Sequence, residues 1–163
     1  MNLLVTLDSK YIRPLKVMLA SLFINNQPEE FDIYLIHSRI KDEEIADIES
    51  FVNSYGQKLF VIKIDNSYFD NAPLIFHYTK EMYYRLLACK FLPSDLDRIL
   101  YLDPDILVIN PVRKLYETEL DGYLYAAAYH SILPVKKINS IRLYPYKINA
   151  YFNSGVLLMN LDL

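Results

Sequence analysis

Tryptophan is absent from this 163-residue chain, cysteine occurs once, and glycine only three times. Each shortage excludes something. A single cysteine, Cys89, cannot form an intrachain disulfide, so nothing marks an oxidising compartment. Cys89 falls in the apolar helical stretch from Met82 to Leu92, where a small buried hydrophobe is the expected role rather than a nucleophile. Gly56, Gly122 and Gly155 are too scattered for a phosphate-binding P-loop or a dinucleotide fingerprint. A diphosphate bound here would need a metal ion and side chains instead of a glycine-rich backbone cradle.

Long hydrophobic runs are missing as well. No stretch approaches the roughly 20 apolar residues that span a bilayer. The N-terminal run Asn2 to Leu7 lacks a basic flank and is cut short by Asp8, so no signal peptide is expected. The expected location is cytoplasmic, or peripheral at the inner face of the membrane through parts absent from this chain. The net charge of -3 gives no broad basic face, so nucleic acid is not an expected partner.

What the chain does have is a globular composition, 53% hydrophobic and 23% charged, in a length that fits one domain. A chain of this size buries roughly two-thirds of its unfolded surface. Fifteen tyrosines stand out. Tyrosines stack on flat rings and bond sugar hydroxyls, although most serve as core or surface residues.

Apolar runs and periodicity predict the order of elements. Leu3 to Leu7 is a short buried strand closed by Asp8-Ser9. Pro14 suits the first turn of a helix carrying Leu15, Met18, Leu19, Leu22 and Phe23 on one face, ended by Asn25 to Pro28. Phe31 to His37 is a second strand. Asp42 to Tyr55 is an amphipathic helix with Gly56 at its stop. Leu59 to Ile64 is a third strand, closed by Asp65. Residues 66–78 read as a loop, and Thr79 can cap a helix running to about Phe91. Ile99 to Leu102 is a fourth strand, after which Ile106 to Ile109 resumes an extended apolar run. A short helix over Arg113 to Leu120, a strand over Tyr123 to Tyr129, a poorly patterned stretch over 131–150 and a strand over Val156 to Asn160 complete the chain. Alternating strands and helices predict an α/β fold with a mostly parallel sheet covered by helices on both faces. Ligands of such sheets bind beyond the carboxyl ends of the strands, where Asp8 and Asp103 both fall.

Twelve aspartates placed at random in a chain this long give about one Asp-x-Asp, and two occur. Asp95 and Asp97 lie in a polar turn after Pro93-Ser94. Asp103 and Asp105 interrupt the apolar run from Ile99 to Ile109, where burying a carboxylate without a partner is costly. In extended chain, side chains two apart point the same way, so both carboxylates could reach one Mn²⁺ or Mg²⁺ ion. A turn around Pro104 capped by the two aspartates is the alternative, and spacing alone leaves both open.

Four segments together resemble the family-8 glycosyltransferases, which adopt the GT-A fold. They are Thr6-Leu7-Asp8-Ser9-Lys10-Tyr11, Tyr83-Tyr84-Arg85-Leu86, Arg98-Ile99-Leu100-Tyr101-Leu102-Asp103-Pro104-Asp105, and Tyr151-Phe152-Asn153-Ser154-Gly155-Val156-Leu157-Leu158-Met159-Asn160. The resemblance, which extends to bacterial lipopolysaccharide galactosyl- and glucosyltransferases, implies a GT-A type Rossmann-like mixed sheet. It implies that residues 1–163 are one nucleotide-sugar-binding domain, the N-terminal part of a longer catalytic domain. The implied activity is metal-dependent transfer of a hexose from a UDP-sugar to a saccharide or similar hydroxyl acceptor, lipid-linked ones included, with retention of anomeric configuration.

Position by position, the resemblance puts Thr6 and Asp8 at the uracil, with Leu7 in the nucleotide-sugar site, and Tyr11 stacked on the uracil, a contact worth about 1–3 kcal/mol per base. Tyr11 as a helix-flanking core residue is the competing assignment. Arg85 would face the donor sugar and diphosphate, and Asn153 would bond sugar hydroxyls; these two are the implied catalytic residues. A solvated helix arginine is the other reading of Arg85, and a strand-entry turn the other reading of Asn153. Leu102, Asp103, Pro104 and Asp105 would line the nucleotide-sugar site, with Asp103 and Asp105 holding Mn²⁺ (or Mg²⁺) and Gly155 allowing close approach.

Two departures from the family pattern are visible. Members carry a later His-x-x-Gly-x-x-Lys-Pro-Trp segment that supplies a third metal ligand, and His37, His77 and His130 do not match it. Tyr129-His130-Ser131 stands where the family often has an acidic donor-sugar residue. A fragment that binds a UDP-sugar without turnover, and a phosphatase of the haloacid dehalogenase type that also uses Asp-x-Asp after a strand, are the rival functions. The phosphatase pattern places the pair after the first strand with Thr or Val two residues on, whereas here the pair is mid-chain and followed by Leu107.

Overall fold

The computed structural model describes residues 1–65, 81–129 and 152–162. The expected loop at 66–78, the capping Thr79, the poorly patterned stretch 131–150, and His77 and His130 lie outside the described residues.

Six strands form one sheet in the order β3-β2-β1-β4-β6-β5. They are β1 (Asn2–Thr6), β2 (Asp32–His37), β3 (Lys58–Lys63), β4 (Arg98–Leu102), β5 (Tyr125–Tyr129) and β6 (Phe152–Asn160). β1 pairs in parallel with β2 and with β4, and β2 with β3. β6 runs antiparallel to both β4 and β5. The mixed, mostly parallel sheet is therefore as expected, with strand bounds shifted by a few residues.

The helices are α1 (Ile12–Asn25), α2 (Asp42–Ser54), α3 (Glu81–Tyr84) and α4 (Arg113–Tyr116). They divide between the faces of the sheet because side chains alternate along each strand. On one face, Leu3, Val5 and Leu7 of the β1 run pack with Ile33, Leu35, Leu100, Leu102 and Leu158 against α1 and α2. On the other, Leu4, Tyr34, Ile36, Ile99, Tyr101, Leu157 and Met159 pack against Tyr84, Ala88 and Leu92. A leucine buried this fully contributes roughly 1.5–3 kcal/mol. Strands covered on both faces read as unbroken apolar runs, which is why β1, β2 and β4 were legible.

Local chemistry sets the element ends. α1 starts early enough that Pro14 sits in its first turn, where no intrahelical donor is lost. α2 begins with Asp42, Glu43 and Glu44, whose charges suit the helix N-terminus. Its stop is Gly56 at φ 73°, a left-handed position that glycine takes without strain.

Four expectations are corrected. The helix to about Phe91 is a single α turn followed by a 3₁₀ segment, Arg85–Lys90, kinked at Leu87. With that winding, Tyr84, Arg85 and Ala88 turn inward, and Cys89 is exposed, not a buried hydrophobe. The stretch Ile106 to Ile109 joins no strand. It is tied instead to α1: Val108 N donates to Ser21 Oγ at 2.9 Å, and Asn25 Nδ2 donates to Val108 O at 2.9 Å. The helix expected over Arg113 to Leu120 closes after one turn, at Tyr116.

Candidate functional site

The strand order reverses direction between β1 and β4. From β1 the sheet grows through β2 to β3; from β4 it grows through β6 to β5. A crevice opens at such a switch point beyond the carboxyl ends of the two strands, and ligands of open α/β sheets bind there. Thr6 ends β1 and Leu102 ends β4. The first and third motif segments therefore meet at one edge.

β6 brings the fourth segment to the same place. Leu102 pairs with Val156, and the ladder continues one step further, with Asp103 N donating to Gly155 O at 2.7 Å. Asn153 Oδ1 accepts from Gly155 N at 2.7 Å, folding the loop side of β6 onto itself. Gly155 is buried, and its need for glycine is spatial. A Cβ there would lie 2.6 Å from Asp103 Oδ2 and 3.0 Å from Asn153 Oδ1.

The second segment arrives from the helical side. The Arg85 side chain is 5% exposed, so the solvated-arginine reading is excluded. Its Nη1 donates to Asp103 Oδ1 at 3.1 Å and to Ser154 O at 2.8 Å. The guanidinium lies over the Tyr101 ring, 4.7 Å from its centroid. Tyr101 in turn donates its hydroxyl to Asp103 Oδ1 at 2.5 Å, with Thr6 Oγ1 at 3.5 Å on the other side. Burial pushes the Tyr101 hydroxyl well above its ordinary range; the Arg85 charge opposes this and Asp103 reinforces it. Tyr101 is thus a neutral donor.

Tyr101 is the site residue that sequence reasoning missed. Its signal was present: in a strand, residue 101 shares a face with residue 103. It was masked because a tyrosine inside an apolar strand reads as core.

Asp103 and Asp105 depart from the expected geometry. β4 ends at Leu102, and a turn through Pro104 and Asp105 follows. The argument from extended chain, with both carboxylates on one side, does not hold for this backbone. Asp103 is partly buried and Asp105 is exposed. Asp103 Oδ1 is engaged by Arg85 and Tyr101, while Oδ2 accepts from no described residue. Among the described residues no group of three or more His, Cys, Asp or Glu gathers to hold an ion. An open carboxylate oxygen and an exposed second carboxylate nonetheless fit Mn²⁺ or Mg²⁺, which are commonly held by one or two carboxylates plus water and phosphate oxygens.

At the end of β1, Asp8 accepts from Lys10 N at 2.8 Å and caps a 3₁₀ turn, Ser9–Tyr11. That turn carries Tyr11, 41% exposed, so Tyr11 is not the core residue of the competing assignment. The side chains of Leu7 and Leu102 are buried in the core, which leaves only their backbone facing the crevice, and Pro104 is buried in the turn. The structure thus brings Thr6, Arg85 and Asp103 together around Tyr101, with Gly155 against Asp103 and Asn153 bonded to Gly155.

Comparison with known proteins decides the family: the description "Glycosyl transferase family 8" matches over residues 2–163. The chain belongs to glycosyl transferase family 8. The haloacid dehalogenase alternative is thereby excluded. Among relatives of this family-8 chain, a lipopolysaccharide 1,2-glucosyltransferase of Escherichia coli K12 is 27% identical over 99% of the chain and 48% of its own length. A lipopolysaccharide 1,3-galactosyltransferase of Salmonella typhimurium is 23% identical over 99% of the chain and 49% of its own length. The chain spans about half the length of these curated relatives. The crystal structure of galactosyltransferase LgtC with donor and acceptor sugar analogues superposes with a TM-score of 0.87 at 26% identity, covering 99% of this chain and 58% of that one. This likeness bears out the expected GT-A type sheet. No described helix is long and apolar enough to cross a membrane.

Proposed function

We propose that this family-8 chain forms the donor half of a hexosyltransferase. It takes a UDP-sugar and, with Mn²⁺ (or Mg²⁺), passes the hexose to a saccharide or similar hydroxyl acceptor with retention. The observation that carries the reading is Asp103, held at the β1/β4 switch point with one oxygen engaged and the other open.

In this reading Tyr11 stacks on the uracil, with Thr6, Asp8 and the backbone of Leu7 beside it. Aromatic stacking tolerates an exposed ring, and Tyr11 has one. Asp103 and Asp105 hold the divalent ion against the diphosphate, flanked by the backbone of Leu102 and by Pro104. The ion supplies charge neutralisation for the leaving UDP. Arg85 keeps Asp103 in place and adds a fixed positive charge beside it. Asn153, exposed at the mouth of β6, bonds donor-sugar hydroxyls, and Gly155 keeps the floor low enough for Asp103. The work of these groups is electrostatic preorganisation, with donors and charges set before the ligand arrives.

The names of the lipopolysaccharide glucosyl- and galactosyltransferase relatives support a lipid-linked saccharide as acceptor. A thermal-shift panel of UDP-sugars with and without Mn²⁺ tests the donor assignment. Binding to the native state raises the melting temperature by mass action, so the preferred donor gives the largest shift, and a larger one with the ion present than without it. Equal shifts for UDP-sugars and for unrelated nucleotides would reject it. Assays of sugar release and transfer separate a complete transferase from the alternative of a chain that only binds its donor.

A further inference from the structure

A carboxylate swings easily about its last torsion, which has broad minima. A partly exposed aspartate at the end of a strand therefore offers a defined oxygen only if its surroundings pin it. Asp103 has three such surroundings. Arg85 Nη1 and the Tyr101 hydroxyl both donate to Oδ1, at 3.1 Å and 2.5 Å. Gly155 backs Oδ2 on one flank, where a Cβ would meet it at 2.6 Å. Of the two donors, Tyr101 is the shorter and the more rigid. Its ring is 1% exposed, held in the core of the sheet face and covered by the Arg85 guanidinium. A buried hydroxyl must find a partner, and a bond to a charged acceptor is about twice as strong as one between neutral groups.

We propose that Tyr101 is a positioning residue for the metal- and diphosphate-binding carboxylate. Its hydroxyl occupies Asp103 Oδ1 and fixes the carboxylate plane, so that Oδ2 alone is presented to the cation. Arg85 cannot do this unaided. It divides its Nη1 between Asp103 and Ser154 O, and its bond to the carboxylate is the longer one. Without the hydroxyl, Asp103 is free to turn toward Arg85 and engage it with both oxygens. Metal affinity then falls although no ligand atom has been removed. The inference rests on the reading of Asp103 as a metal ligand.

The test is Tyr101→Phe, which removes one oxygen and keeps the buried ring. Mn²⁺ is titrated into the purified protein with UDP present, and free Mn²⁺ is followed by its electron paramagnetic resonance signal. Melting temperature and metal-free UDP affinity are measured alongside. Expected is a roughly 10-fold weaker Mn²⁺ affinity, from loss of one charge-assisted bond, with the melting temperature within about 4 °C of wild type and metal-free UDP affinity unchanged. Mn²⁺ affinity within twofold of wild type would overturn the positioning role alone. So would an equal loss of UDP affinity with and without the ion, since the hydroxyl would then support the pocket as a whole. A wild-type protein with no Mn²⁺-dependent UDP binding would instead overturn the functional reading and this inference together.

Discussion

Gly155 and Asp103 are fitted to each other: the carboxylate Oδ2 of Asp103 stands 2.6 Å from where any side chain on residue 155 would begin. Real Cβ atoms do not approach that closely, and Asp103 cannot yield cheaply because Tyr101 and Arg85 hold its other oxygen. Gly155→Ala should therefore rotate Asp103 off its two donors. Overpacking of this kind costs about 1–3 kcal/mol of stability. The variant should also bind UDP at least about 10-fold more weakly in Mn²⁺, which calorimetry reads directly. An alanine variant with wild-type metal-dependent affinity would show that Asp103 can serve from another position.

Arg85 is the buried cation of the site, and its removal leaves Asp103 Oδ1 short of a charged donor and the Ser154 carbonyl without its guanidinium partner. Breaking a buried pair by deleting one partner costs about 3–5 kcal/mol; Asp103 is 31% exposed, so the low end of that range applies. Urea denaturation of Arg85→Ala should show a loss of about 3 kcal/mol. Arg85→Lys should recover only part of it, because an ammonium on a flexible stem cannot lie flat on the Tyr101 ring as the planar guanidinium does. A loss under about 0.5 kcal/mol in the alanine variant, the range typical of surface substitutions, would mean the arginine is effectively solvated.

Legibility followed burial. Strands buried on both faces read as apolar runs, and Asp8 and Asp103 mark the carboxyl ends of β1 and β4. Helix type was harder: Arg85 to Lys90 has helical spacing, but 3₁₀ winding moved Cys89 outward and Arg85 inward. Composition cannot reveal that an arginine between a tyrosine and a leucine is buried, since the reason lies 18 residues away at Asp103. The turn at Pro104 likewise overrode the extended-chain geometry. Pairing across β4 and β6 set Gly155 against Asp103, a contact 52 residues apart that no local pattern encodes.

His37 should make stability pH-dependent. It ends β2, is 3% exposed, and accepts from Ile40 N through Nδ1 at 3.1 Å. Burial lowers its pKa below the ordinary value of 6.5, Lys63 lowers it further, and Asp42 partly opposes them. The unfolded chain thus takes up its proton at a higher pH than the folded one. This contribution to stability is complete above pH 6.5 and is lost as pH falls below it toward the folded pKa. Denaturation curves between pH 7.5 and about 5 should show the wild type losing more stability than His37→Asn, which keeps an acceptor for Ile40 but does not titrate. Parallel pH profiles for the two proteins would contradict this assignment.

The central claim is that Asp103 and Asp105 hold a divalent ion against the diphosphate of a UDP-sugar. Calorimetric titration of UDP into wild type, Asp103→Asn and Asp105→Asn, each with and without Mn²⁺, tests it most directly. The account predicts that Mn²⁺ strengthens UDP binding to the wild type, and that each variant loses this dependence while keeping a folded melting transition. UDP affinity in Mn²⁺ that is unchanged in both variants would contradict it.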